Sequence, residues 1–279
     1  MSGHLRRMAS PPRVDLSPAA ASVRRHDPDR FLTALFAPAE RREALFLLYA
    51  FNHELARARE AASNPTLALI RLQWWREVVE GARRRHEVAE PLLDAIETGC
   101  LERALLLGMI EGREAEAEPS IPDLASWRAY LRGTAGLVTA AAGQALGAPA
   151  EARERLVALG AAYGAAGVLR SIPALARQGR CLLPEDVLGA HGLVPEAVLA
   201  DPEAPRRAGV LDALAGEGRA LLREGAGLRL PRAAVAAAVP AVLARRDLRR
   251  PGFRERGLGD RLAVITAGLT GRLGLPLSR

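Results

Sequence analysis

The residues whose types could support catalysis or metal binding form no complete motif in the sequence. His26, His53 and His191 lack the spacing of metal ligands, and Cys100 and Cys181 are far apart and outside any CxxC pair. There is no nucleophile elbow, P-loop or dinucleotide-binding fingerprint. The chemistry must therefore be sought among polar side chains inside otherwise apolar helices.

Two such side chains, Asn52 and Gln73, lie on neighbouring predicted helices. The segment PAERREALFLLYAFNHELARARE predicts a helix with one face that comprises Leu45, Leu48, Tyr49, Asn52, Leu55 and Ala56. The segment TLALIRLQWWREVVEGARRR predicts the next helix, whose apolar face comprises Leu69, Leu72, Gln73, Arg76 and Val79. A buried Gln73 needs hydrogen-bond partners, and we expect Asn52 or Arg170 to supply one. Trp74 and Trp75 are expected to pack in the core and at its rim.

Two later predicted helices, over residues 124–146 and 153–169, are unusually rich in Gly and Ala. Glycine inside a helix costs roughly 1 kcal/mol relative to alanine, so its repeated use needs a reason. Small residues either let a neighbouring helix approach closely or leave space for an apolar ligand. The sequence leaves both interpretations open.

The composition predicts an all-α fold. Apolar residues make up 49% of the 279 residues and aromatic residues only 4%, so the core must consist mainly of Ala, Leu and Val. No strand-like alternation and no dividing linker is present, which favours one domain over residues 27–279. Residues 1–26 are basic, lack the apolar stretch of a secretory signal, and are predicted to be a disordered lead-in. The longest weakly polar stretch, 156–169, is too short for a transmembrane helix.

The formal net charge is +7, and all 39 basic residues are Arg. This balance fits diphosphates, an anionic membrane surface or simply a solvated Arg-rich surface. No zinc-finger spacing or RNA-binding aromatic signature is present, so nucleic acid is not expected as a partner. The two unpaired cysteines fit a reducing compartment, and the predicted location is the cytoplasm.

Three ordered segments of the chain resemble the squalene/phytoene synthase family. The first contains ALFLLYAF, the second is the small-residue stretch TAGLVTAAAGQALG, and the third is GVLRSIPALARQGRCLLPED. In the third, Leu169-Arg170, Gly179-Arg180, Leu183-Pro184 and Asp186 match the family's pattern. The resemblance implies a single-domain isoprenoid-synthase-type helical bundle around a central cavity.

The same resemblance implies where the family's chemistry would take place. Two facing helices of such enzymes present aspartates that bind Mg²⁺, and the Mg²⁺ ions neutralise the diphosphate leaving group. This chain has Ala56, Arg57 and Glu60 at the first site and Ser171 and Leu175 at the second. We therefore expect no bound metal and no cofactor, with Mg²⁺ needed only if the chain is an active enzyme.

One branch of the family fits more closely. AFNHEL and RLQWW resemble the segments AFN-x-EL and RxQxW of a branch that includes a mitochondrial complex I assembly factor. That resemblance implies a non-catalytic role in the assembly of respiratory complex I (NADH dehydrogenase), with subunits of that membrane complex as partners and a peripheral location at the inner membrane. The alternatives are an active farnesyl or geranylgeranyl diphosphate condensing transferase, and an isoprenoid- or lipid-binding protein without turnover.

The resemblance also nominates residues for a pocket left from the ancestral active site. These pocket candidates are Tyr49, Asn52, Glu54, Gln73, Arg170 and Arg180. Each has a plain structural alternative: Asn52 as a hydrogen-bonded core residue, Glu54 as a surface carboxylate, and the two arginines as partners of Asp or Glu.

Overall fold

The computed structural model describes residues 16–60, 64–118 and 120–274. These ranges contain no β-strand, only an isolated parallel bridge between Ile121 and Pro184. The α-helices of the described residues are α1 Pro18–His26, α2 Pro28–Ala34, α3 Arg42–Glu60, α4 Pro65–Glu80, α5 Ala89–Glu97, α6 Arg103–Glu114, α7 Leu124–Leu131, α8 Leu137–Ala145, α9 Arg153–Arg177, α10 Glu185–Ala190, α11 Pro195–Ala200, α12 Ala208–Glu224, α13 Val235–Ala238, α14 Pro240–Asp247 and α15 Leu258–Thr270. The predicted all-α class is confirmed.

The long helix α9 forms the centre of the bundle. It packs against α8, α12 and α14, and against the π-helical turn Arg132–Gly136 that joins α7 to α8. One contiguous apolar core runs from α1 to α14, and its members from α9 are mainly Ala, Leu and Val. By length and composition alone the helical stretch Ala150–Arg177 could cross a membrane, but 67% of its apolar window is buried inside the fold. It is the core helix of the bundle.

The helix α4 buries a different face from the one predicted. Its buried side chains are Ala68, Leu72, Trp75, Val78 and Val79. Gln73 is exposed and Leu69 is 43% exposed, so the prediction of a buried Gln73 paired with Asn52 or Arg170 was wrong. The physical reason is that this segment carries apolar residues all around its axis, so that spacing alone fits two faces. The packing of Trp75 against Phe51 of α3 decides between them.

The N-terminal helix α1 corrects the predicted lead-in. Residues 18–26 are not disordered: Ser17 caps the helix by accepting from the Ala20 N–H at 3.0 Å, and Pro18 opens it. Ala19, Ala20 and Val23 are buried, and α1 packs against α3. Residues 1–15 of the predicted lead-in lie outside the described residues.

The small residues of these helices allow close packing at some positions and leave open space at another. A Cβ atom on Gly112 of α6 would lie 2.6 Å from the backbone carbon of Gly133, so these two segments approach at backbone contact. Gly160 of α9 is similarly close to the Ala135 carbonyl oxygen. Gly167 of α9, in contrast, has no atom within 4 Å of its added Cβ, and it lines a cavity.

Candidate functional site

A partly open cavity of about 210 Å³ lies between α3, α6, α7 and α9. From α3 and α9 it is lined by Asn52, Ala56, Glu60, Gly164, Gly167, Val168, Ser171 and Leu175. Gly164 and Gly167 belong to the Gly- and Ala-rich stretch of α9, and they present no side chain to the cavity. At Gly167 the missing side chain contributes to this space, because an added Cβ there would meet no atom within 4 Å.

A buried carboxylate, Glu116, organises the polar wall of this cavity. It lies in the short 3₁₀ turn Ala115–Ala117 that follows α6, and it is 5% exposed. Its Oε1 accepts from Arg113 Nη1 at 2.5 Å and from Tyr130 Oη at 2.8 Å, and its Oε2 accepts from Arg180 Nη2. Arg113 also donates from Nη2 to Asn52 Oδ1 at 3.2 Å. One carboxylate thus holds two guanidinium groups and a tyrosine.

The electrostatics of this cluster favour an ionised Glu116. Burial alone would raise its pKa, but the positive charges of Arg113 and Arg180 outweigh burial and hold the pKa below its usual range. The pKa of Tyr130 is raised, first by burial and then by the negative charge of Glu116. Because two arginines pair with one carboxylate, the cluster has an excess of one positive charge. The hydrogen bonds of Glu116 all go to other members of the cluster.

A second buried arginine site forms the wall on the side of α2. Arg30 is 6% exposed, pairs with Asp27 at 2.9 Å, and lies over the rings of Tyr49 and Tyr163 at 5.6 Å and 4.9 Å. Burial raises the pKa of Tyr49 to about 12, so its hydroxyl stays protonated at neutral pH. Arg30 and Tyr163 line the cavity, while Tyr49 lies behind Arg30.

The structure brings six of the residues nominated from sequence to this cavity. Its lining includes the positions Asn52, Ala56, Glu60, Ser171, Leu175 and Arg180. The polar partners of the cavity, Arg30, Arg113, Glu116 and Tyr130, were missed. Arg113 and Glu116 come from a charged segment in which no site residue was predicted, and only their i,i+3 spacing could have suggested a pair.

The remaining nominated residues lie elsewhere, which corrects their predicted placement. Glu54 and Arg57 form an ion pair at 3.3 Å in an outer groove of about 460 Å³ between α3 and α4, beside Trp74 and His86. The helical spacing explains this result, because residues two and five positions after Asn52 point away from the side that Asn52 occupies. Gln73 is exposed on the outside of α4.

The last nominated residue, Arg170, has a structural partner. Its Nη1 donates to Oδ1 of Asp247 at 3.3 Å, and Asp247 is 3% exposed. Arg256 donates to the same carboxylate oxygen at 2.8 Å. The ion pair with Asp247 holds α9 to α14, which agrees with the structural alternative for Arg170.

The histidines also have local environments. His26 and His53 stack with ring centroids 4.1 Å apart, and burial together with the neighbouring His26 lowers the pKa of His53. In the part of the chain that the structure describes, no group of three or more His, Cys, Asp or Glu side chains is placed to hold a metal ion.

Comparisons with known proteins show which family this chain resembles. The model of the family described as squalene/phytoene synthase matches residues 23–255. Complex I assembly factor 6 of Homo sapiens is 28% identical over 183 residues, which cover 63% of this chain and 55% of that protein. The chain therefore spans little more than half of the length of that relative.

An enzyme and a solved structure also match. A phytoene synthase of Thermus thermophilus is 31% identical over 224 residues, which cover 77% of this chain and 76% of that enzyme. The crystal structure of a dehydrosqualene synthase with a bound ligand superimposes with a TM-score of 0.75 at 16% identity, covering 91% of this chain and 94% of that one. This match shows the fold. The chain belongs to the squalene/phytoene synthase family.

Proposed function

We propose that this protein is a non-catalytic member of the family that acts as an assembly factor for respiratory complex I. The observation that carries the proposal is the identity of the side chains that face the cavity from α3 and α9. Ala56, Ser171 and Leu175 line it where the family resemblance leads us to expect aspartates. The relatives named complex I assembly factor 6 supply the role.

The carboxylates that remain at the cavity do not fit a Mg²⁺ site. Glu116 directs both oxygens to Arg113, Tyr130 and Arg180, so a cation would have to displace two guanidinium groups. Glu60 is the other carboxylate in the lining, and its neighbour one helical turn earlier is Ala56. A Mg²⁺ ion that binds a diphosphate needs several oxygen ligands in near-octahedral geometry. We therefore propose that the protein works without a metal or cofactor.

The size of the cavity bears on which ligands it could enclose. Pockets that bury a drug-sized ligand usually enclose roughly 300–1,000 Å³, whereas this cavity has about 210 Å³. This volume does not by itself favour the enclosure of two prenyl diphosphates or of a long isoprenoid cargo.

The partners in this proposal are subunits of the membrane-bound complex, and the location is the cytoplasmic side of the inner membrane. Deletion of the gene should lower the amount of assembled NADH dehydrogenase on native gels and its activity in membranes. The wild-type gene in trans should restore both. Normal levels of assembled, active complex in the deletion strain would contradict the assembly role.

The second candidate function is a prenyltransferase, which the match to the Thermus thermophilus phytoene synthase favours. Purified protein would be incubated with farnesyl or geranylgeranyl diphosphate and Mg²⁺, and release of pyrophosphate measured. We expect no release above that of a heat-inactivated sample. Release that is abolished by Arg180→Gln, with folding retained, would instead establish an enzyme.

A further inference from the structure

The helix α15 presents an apolar face to the outside of the molecule. Leu258, Leu262, Ile265 and Leu269 follow one another at steps of four, three and four residues, which places them on one side of the helix. They are 77%, 61%, 36% and 64% exposed, and Phe253 just before the helix is 67% exposed. We call these five side chains the outer apolar stripe. A helix of a folded domain normally turns such a face inward.

The stripe is not a result of loose packing of α15. The other side of the helix is fixed in place: Asp260 is 1% exposed and accepts from Arg246 Nε at 2.6 Å and from the Gly257 N–H at 3.1 Å. Gly268 lies so close to the ring of Phe36 that an added Cβ would come within 2.3 Å of it. Rotation of α15 to hide the stripe would break both contacts.

Unpaired basic residues accompany the stripe along the chain. Arg249 and Arg250 precede Phe253, Arg261 lies beside Leu262, and Arg272 follows the end of α15. All four are exposed, and none forms an ion pair within the described residues. The acidic residues between positions 249 and 272 are Asp260, which is buried, and Glu255. Along residues 249–272, exposed basic side chains therefore outnumber exposed acidic ones.

We propose that α15 and Phe253 bind the surface of a bilayer that contains anionic phospholipids. An amphipathic helix with large aliphatic side chains on one face and arginines beside it lies in the plane of the interface, with its apolar face at the boundary of headgroups and acyl chains. The four arginines then meet the lipid phosphates, where basic residues near an anionic leaflet are attracted. This inference does not depend on the assembly role proposed above.

A second copy of the chain is a poorer occupant of this face. The 13 residues of α15 make a helix about 20 Å long, and a stripe about 10 Å wide on it covers on the order of 200 Å². A stable dimer buries about 800 Å² on each partner. The four unpaired arginines would also repel their copies across a twofold axis. An extended lipid surface can bury the apolar side chains of the stripe and place phosphate groups beside the arginines.

Co-sedimentation of the full chain with vesicles tests the proposal. We expect binding to mixed phosphatidylcholine–phosphatidylglycerol vesicles, little binding to pure phosphatidylcholine, and weakening by high salt. The double variant L262Q/L269Q should bind at least about tenfold more weakly, since burial of apolar side chains provides much of the affinity. The variant R249Q/R250Q/R261Q should lose a similar factor and most of the salt dependence.

The controls distinguish binding through the outer apolar stripe from non-specific binding of exposed apolar side chains to vesicles. Both multiple variants replace exposed side chains, so their melting temperatures should equal that of the wild type. Ile70→Gln removes an aliphatic side chain that is 58% exposed on α4, and it should leave vesicle binding unchanged. Absence of binding, equal binding to neutral vesicles, or equal loss in Ile70→Gln would overturn the proposal. So would a dimer in sedimentation equilibrium that L262Q/L269Q dissociates.

Discussion

At the scale of single residues, Glu116 is the side chain on which the cavity wall depends. Its replacement by glutamine keeps the shape but removes the charge that compensates Arg113 and Arg180. Removing one partner of a buried ion pair typically costs about 3–5 kcal/mol. We expect Glu116→Gln to lower the free energy of unfolding in urea by about that amount. Glu111→Gln, an exposed change on α6, is the control; equal stabilities of the two variants would contradict the structure.

The same carboxylate should contribute to the pH dependence of stability. The pKa of Glu116 is lower in the folded protein than the usual value of about 4.3 in an unfolded chain. A group with a depressed folded pKa stabilises the protein fully above its unfolded pKa, and that contribution is lost as the pH falls through the folded pKa. The difference in unfolding free energy between wild type and Glu116→Gln should therefore be constant from neutral pH to about 5 and shrink below about 4. A difference that grows on acidification would refute this assignment.

The polar residues of the cavity wall were the hardest feature to predict from the sequence. Positions such as Ala56, Ser171 and Leu175 could be placed at the cavity because a family pattern fixed their register. Nothing comparable identified Glu116 or Arg113, since a run of charged residues in a Pro-containing segment is usually solvated. Their burial depends on contacts with Tyr130 and Arg180 from distant parts of the chain, which no local pattern contains.

At the scale of elements, the glycines show how close packing and empty space can be built from the same residue. Gly112 meets the backbone of Gly133, which cannot rotate away, whereas Gly167 faces the open cavity. Gly112→Ala should therefore destabilise the protein by about 1–3 kcal/mol through overpacking. Gly167→Ala should be neutral or stabilising by up to about 1 kcal/mol, because alanine is the better helix former. Thermal and urea unfolding of the two variants would measure this; effects of the same sign would contradict the assignment.

Element boundaries and faces were predictable to different degrees. The helix α3 follows from clear spacing, and most residues of its predicted face are buried. For α9 the composition predicted a helix over residues 153–169 but no buried face, and the structure extends this helix to Arg177. The buried face of α4 does not follow from spacing, since apolar residues such as Leu69 and Ile70 surround its axis and the choice of face was made by Trp75. In α1, three small buried side chains beside a Ser-Pro start gave too weak a signal against a basic background.

At the scale of the whole molecule, the all-α bundle was predictable because its determinants are distributed along the chain. Ala, Leu and Arg, which favour helices, are common along the whole chain, and Pro or Gly marks many of the helix ends. The contacts that join the two ends of the chain were not predictable. Arg256 bridges Asp29 of α2 and Asp247 of α14 at 2.8 Å each, and one of these pairs spans 227 residues. Such contacts are visible only after the fold exists.

This bridge leads to a prediction about the whole fold. Arg256→Gln removes two charged hydrogen bonds, and Asp247, which is 3% exposed, keeps Arg170 as its nearest remaining partner at 3.3 Å. Hydrogen bonds to charged groups contribute about 1.5–3 kcal/mol each, so for the two bonds we expect a loss of at least about 3 kcal/mol. Hydrogen exchange should quicken in both α2 and α14, although they lie at opposite ends of the chain. Arg250→Gln, at an exposed position, should change neither helix, and faster exchange confined to residues near position 256 would show that the bridge does not hold the ends together.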